Sequence, residues 1–136
     1  MKKNLFTLIP ALAMVFLIAS CSKDDTTPTP AATPVGTWVG TGQYGSGAGN
    51  PSYAFTLNFK ADGTVDITGN NNAAIDNATG TWAIVQDSVK ATYTYVSASA
   101  QYTLSGKFTA GSNLMVGTIG LTTATSGVGL FSVTRQ

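Results

Sequence analysis

The chain has 136 residues, seven basic and six acidic side chains, a formal net charge of +1 and no histidine. Without a basic excess it has no footprint for phosphates, so nucleic acid is not an expected partner. Without histidine, and with one cysteine, it has no Ser-His-Asp or Cys-His catalytic set, no disulfide within the chain and no good ligands for zinc or copper.

The first element is Met1-Lys2-Lys3-Asn4 followed by an apolar stretch from Leu5 to Ile18 that contains Pro10. A spanning helix needs about 20 apolar residues, so this stretch is too short to cross comfortably. A cationic start, a short apolar core and small residues before a cut make a secretory signal, predicted over residues 1–20. The run Leu17-Ile18-Ala19-Ser20-Cys21 then resembles the lipobox of bacterial lipoproteins. That resemblance implies that Cys21 is acylated with palmitate-class chains, becomes the mature N-terminus and makes the membrane a partner through the anchor. A lone exported thiol would otherwise be free to pair between molecules.

Residues 21–34 are expected to be the acylated cysteine and a tether. The segment Ser22 to Pro34 reads SKDDTTPTPAATP, with no large apolar residue. It cannot bury enough surface to offset its ordering entropy, and in polyproline form it would reach roughly 40 Å. Cys21-Ser22-Lys23-Asp24-Asp25 resembles the acidic export signal of Bacteroidota surface lipoproteins. The resemblance implies an outer-membrane, cell-surface location; two aspartates would also simply keep a linker in water.

Residues 35–136 are predicted to form one all-β domain. All 15 glycines lie at or after Gly36. Tyr53, Phe55, Leu57 and Phe59 alternate with Ala54, Thr56, Asn58 and Lys60, and Tyr102, Leu104 and Phe108 alternate with polar residues. Period two with one wet face is the antiparallel pattern. Eight strands are expected, roughly 35–44, 53–60, 64–69, 80–86, 89–96, 101–109, 114–122 and 128–135. Asp62-Gly63, Asp87-Ser88, Gly111-Ser112-Asn113 and Ser126-Gly127 read as tight turns. Short links favour an eight-stranded antiparallel up-and-down barrel, which leaves no open edge; a β-sandwich of immunoglobulin type is the alternative.

Gly36-Thr37-Trp38 opens the first strand and Arg135 nearly ends the last. This resembles the calycins (lipocalins and relatives), in which a basic residue of the last strand packs across the tryptophan of a Gly-X-Trp. Phe59-Lys60-Ala61-Asp62-Gly63-Thr64-Val65 with Gly80-Thr81-Trp82 is similar to the small lipocalin-like lipoproteins of Bacteroidota. The resemblance implies a lipocalin-like barrel with Gly36, Trp38 and Arg135 as its structural signature. The recurrence of Gly-Thr-Trp suggests a duplicated meander, although glycine ahead of a buried aromatic also suits a strand start.

Chemistry-bearing residues are few. Lys60, Lys90 and Lys107 fall on wet strand faces, Asp62 and Asp87 in turns, and Asp66 beside water. Paired carboxylates at glycosidase spacing are therefore not expected, and the chain reads as a protein without catalysis. No metal or cofactor is expected either. Asn70, Asn71, Asn72, Asp76 and Asn77 lack the EF-hand spacing. Gly40-Thr41-Gly42-Gln43-Tyr44-Gly45 matches G-x-G-x-x-G without a following helix. The loop GSGAGNPS after it reads as a mobile lid by analogy with lipocalins. The inward face is aromatic-rich: Trp38, Phe55, Phe59, Trp82, Tyr93, Tyr95, Tyr102, Phe108 and Phe131. These side chains either fill the barrel or line an apolar pocket, with Tyr93, Tyr95, Tyr102 and Trp82 the candidate ligand-binding residues. The function read here is a lipid-anchored envelope lipoprotein that binds a small apolar or amphipathic ligand. The alternative is a solid surface component that contacts protein or glycan.

Overall fold

The computed structural model describes residues 33–136. Its strands are β1 (Gly36–Tyr44), β2 (Ser52–Phe59), β3 (Thr64–Gly69), β4 (Asn77–Val85), β5 (Ser88–Tyr95), β6 (Gln101–Lys107), β7 (Leu114–Leu121) and β8 (Gly127–Arg135). Each pairs antiparallel with the next, and β8 returns to β1 to close the barrel. Closure excludes the sandwich, because two facing sheets would leave unpaired edges. The eight strands match those expected. The largest shift is at β4, which begins at Asn77 rather than near residue 80 because Asn77 and Ala78 pair with Thr68 and Ile67; β6 ends at Lys107, two residues early, and the other ends agree within one residue.

Alternation along the strands explains the closure. Phe55, Leu57 and Phe59 on β2 and Val65 and Ile67 on β3 point inward and are essentially inaccessible to water. Asn58, Asp66, Thr79 and Thr94 sit in register on the outer wall. A membrane-spanning barrel has the opposite arrangement, with an apolar band outside. Across β2–β5 the outer wall is polar at this level.

Glycines set where the strands pack most tightly. Gly106 and Gly117 are register partners. A Cβ on either would lie 2.7 or 2.6 Å from the Phe131 ring, which occupies the space that they leave. Gly36 has a different task. Its φ of +128° lies in a region that side chains rarely adopt, and a Cβ there would meet nothing within 4 Å. Gly80 has ordinary strand geometry, but a Cβ there would lie 2.0 Å from the Thr92 carbonyl oxygen. The two Gly-Thr-Trp tripeptides therefore do unlike jobs. One opens β1 and the other lies within β4, so they do not mark equivalent strands of a duplicated meander.

Candidate functional site

The two ends of the barrel differ. At the first, β1 starts and β8 ends, and Trp38 plugs the interior with no exposed surface. Its indole Nε1 donates to the Pro34 carbonyl at 2.8 Å. The Phe108 ring meets the indole edge-on at a centroid distance of 6.5 Å. Trp38 and Arg135 are register partners across the β1–β8 seam, and the guanidinium carbon lies 4.8 Å from the ring centroid. This is the cation–π contact expected of the signature residues. Arg135 also donates to the Thr33 carbonyl. Pro34, at the end of the predicted tether, is fully buried in this plug.

Trp82 belongs to this closed end as well. Its Nε1 donates to the Lys60 carbonyl of the β2–β3 turn at 3.0 Å, and its ring meets Phe59 edge-on at 5.5 Å. It is not among the residues that line the cavity shared by Tyr93, Tyr95 and Tyr102, so of the four candidate ligand-binding residues it is the one set apart from the others.

The opposite end is open. A half-open cavity of about 310 Å³ is lined by Tyr44, Tyr53, Tyr93, Tyr95 and Tyr102, with Ile119 and Val128 among its apolar wall. Register explains the gathering. Tyr93 on β5 and Tyr102 on β6 are directly paired and stack at 5.7 Å and 19°. Tyr95 follows Tyr93 by two residues and meets both rings edge-on, at 5.7 and 5.5 Å. On another part of the wall, Tyr53 of β2 pairs with Gly42 of β1. A Cβ on Gly42 would lie 2.3 Å from the Tyr53 ring, so the glycine makes the room in which that ring lies. Tyr44, at the end of β1, contacts it at 4.7 Å. The barrel is thus filled over its closed half and hollow at its mouth; each sequence alternative describes one half.

The electrostatics of the mouth are simple. Burial pushes the Tyr93 and Tyr53 phenols well above the ordinary tyrosine range, and neighbouring tyrosines add to the effect. Burial and then the Asp76 carboxylate push Tyr95 up to about 12. These phenols stay neutral and able to donate. Among the side-chain hydrogen bonds of the described residues, none uses a tyrosine hydroxyl. None of these hydroxyls is among the fully buried atoms that lack a partner, so they reach the open mouth, where water or a ligand can serve them.

Asp76 lines the cavity with Asn70, whose Nδ2 donates to Asp76 Oδ2 at 2.9 Å. Their loop is held by backbone bonds. Gly69 N donates to the Asp76 carbonyl at 2.7 Å, and Asp76 N to the Asn72 carbonyl at 2.8 Å. Asn70 and Asn71 have φ of 50° and 53°, a conformation that asparagine tolerates better than most residues. The asparagine run, which lacks the EF-hand spacing, thus presents a carboxylate to the mouth. Among the described residues, no three His, Cys, Asp or Glu side chains come together as a metal site.

The remaining sequence candidates lie elsewhere. Lys60, Lys90 and Lys107 are exposed. Lys60 pairs with Asp66 at 2.7 Å, and Asp62 accepts from Thr64 N at 2.9 Å, which caps its turn. No residue of the expected lid, 45–52, lines the cavity. That loop is tied down by Gln43 Nε2 donating to the Gly47 carbonyl at 2.7 Å and by Gly45 N donating to the Val128 carbonyl at 2.6 Å. Cys21 and the segment 1–20 lie outside the described residues.

Sequence reasoning left Tyr44, Tyr53 and Asp76 out of the candidate set. Tyr53 carried a usable signal, since it shares the inward parity of Phe55. Asp76 carried none, because its position depends on how the loop closes.

Comparison with models of known protein families gives no match, and comparison with curated proteins gives none either.

Proposed function

We propose that this chain is a lipid-anchored cell-envelope protein of the lipocalin-like kind, held by acylated Cys21, whose barrel mouth captures a small apolar or amphipathic molecule and breaks no bond. The observation that carries the capture is the half-open 310 Å³ cavity, lined by five tyrosines whose hydroxyls find no partner among the described residues. Its size falls at the lower end of small-molecule sites, which span about 300–1,000 Å³. The apolar wall suits a hydrocarbon or ring, and the hydroxyls and Asp76 suit one polar group.

The lipobox-like run and the proline-rich segment after it support the anchor. The tether would enter at Thr33 and Pro34, beside Trp38 and opposite the mouth. The cup then opens away from the membrane, toward material arriving from outside.

Native mass spectrometry of the protein from its own host tests capture. A retained small molecule that is lost in Tyr102→Ala is expected, and an empty protein after mild extraction would overturn the reading. Labelling with an alkyne palmitate tests the anchor separately, since Cys21→Ala should abolish incorporation and release the protein from the membrane fraction.

A further inference from the structure

Charge is distributed unevenly along the barrel axis. The cations among the described residues are Lys60, Lys90, Lys107 and Arg135. Lys60 follows β2, Lys107 ends β6 and Arg135 ends β8, all at the closed end, while Lys90 lies on β5 opposite Ala83 and Ser105, also in that half. Asp62, Asp66 and Asp87 lie there too. The mouth loops, residues 45–51, 70–76, 96–100 and 122–126, together carry a single charged side chain, Asp76. That carboxylate has one side-chain donor, Asn70, and no cation beside it.

The chemistry of the wall has the same sign. A tyrosine ring presents a negative face, and the mouth gathers five of them around one cavity. Cations are attracted to such faces, and more strongly when desolvated. An anion would meet the carboxylate with neutral hydroxyl and amide donors in the wall but no cation in the mouth loops to offset the charge. A neutral ligand would leave Asp76 without a counter-charge.

We infer that the mouth selects an organic cation, an ammonium or quaternary ammonium group held between the tyrosine faces with Asp76 as its counter-ion and with any apolar remainder against Ile119 and Val128. The inference rests on the capture reading and names the ligand class for that same cavity. The methylated ammonium is favoured over a metal ion because the wall offers five aromatic rings but a single carboxylate, where a hard divalent cation takes several charged oxygens. Neutral phenols contribute to this selectivity, since they keep the ring faces without adding a fixed charge.

The test compares three probes of one shape, choline, its uncharged isostere 3,3-dimethylbutan-1-ol and the anion 3,3-dimethylbutanoate. Each is titrated into the full chain in the same maltoside detergent and followed by calorimetry and tyrosine fluorescence. Choline is expected to bind about tenfold tighter than the alcohol, and the anion weakest. Asp76→Asn should remove most of that preference. Raising the salt should narrow the gap in the wild type, a readout that does not depend on any variant folding. Tyr95→Leu should weaken choline more than the alcohol.

Equal binding of choline and the alcohol would overturn the inference and leave the capture reading standing. A preference for the anion would overturn it as well, and so would a choline preference unchanged by both Asp76→Asn and salt. Failure of all three probes to bind would also overturn it. If the native protein from its host were empty besides, the capture reading would fall with it.

Discussion

The closed and open ends of this barrel use the same residue class to opposite effect. At the closed end, Trp38 is enclosed by Pro34, Phe108 and Arg135, and its one polar atom is satisfied by a backbone carbonyl. At the open end, five tyrosines cluster around a void and their hydroxyls are left without protein partners. Aromatic area stabilises in both places, but only at the closed end are all the polar needs of the large ring met from within. The difference separates a stability plug from a recognition surface.

The sharpest way to break that comparison is to truncate one ring at each end. Trp38→Ala should cost about 3–5 kcal/mol of stability, read as a fall in the denaturant midpoint, because a fully buried indole leaves a cavity that the rigid seam cannot collapse. Tyr102→Leu should change that midpoint little and abolish ligand retention. If both variants lost stability equally, the mouth would be a second plug.

Overfilling gives the next largest effect. Gly80→Ala should cost about 1–3 kcal/mol, because the added Cβ would fall 2.0 Å from a backbone oxygen that cannot swing away. Thermal melts measure it, and an unchanged midpoint would mean that β4 and β5 can part without penalty.

The seam is a smaller test. Arg135→Gln should cost about 1–2 kcal/mol through loss of the ring contact and of a charged donor to the Thr33 carbonyl. Quenching of Trp38 fluorescence should rise as the cap loosens, while Trp82 stays as it was.

The mouth supplies the smallest effect, visible only in alkali. Tyr95 ionises near 12 in the folded protein against an ordinary value of 10.0. The folded state therefore holds that proton more tightly than the unfolded state does. The associated stability is fully present below pH 10 and drains away as the pH rises toward 12. Tyr95→Phe should flatten part of this alkaline slope in denaturation profiles. It should also remove one phenolate step from an absorbance titration.

Much of the fold was legible because period two leaves little freedom. Tyr53, Phe55, Leu57 and Phe59 cannot all reach a core unless β2 is a strand with one wet face. Short turns such as Asp62-Gly63 then force neighbours to pair. The Trp38–Arg135 pairing was legible too, since closure brings the first and last strands together. The β4 start was not, because Asn77, Ala78 and Thr79 carry no apolar alternation of their own and borrow their pairing from β3.

The candidate site was only partly legible. Tyr93, Tyr95 and Tyr102 lie together because they are close in register across one hairpin. Trp82 shares their inward parity but sits at a different height, against Phe59 and the Lys60 carbonyl. Parity says whether a side chain points in; it does not say how far along the axis it lies.

From its sequence alone this protein was bound to be an all-β chain with an aromatic interior and a polar outer wall, because alternation assigns each side chain to a face. Only the tertiary structure decided which end is plugged, which is hollow, and that Asp76 stands over the hollow. Those outcomes depend on side chains from distant strands meeting at one level of the barrel. That level is set by the register of all eight strands together and by the way the loops close over them.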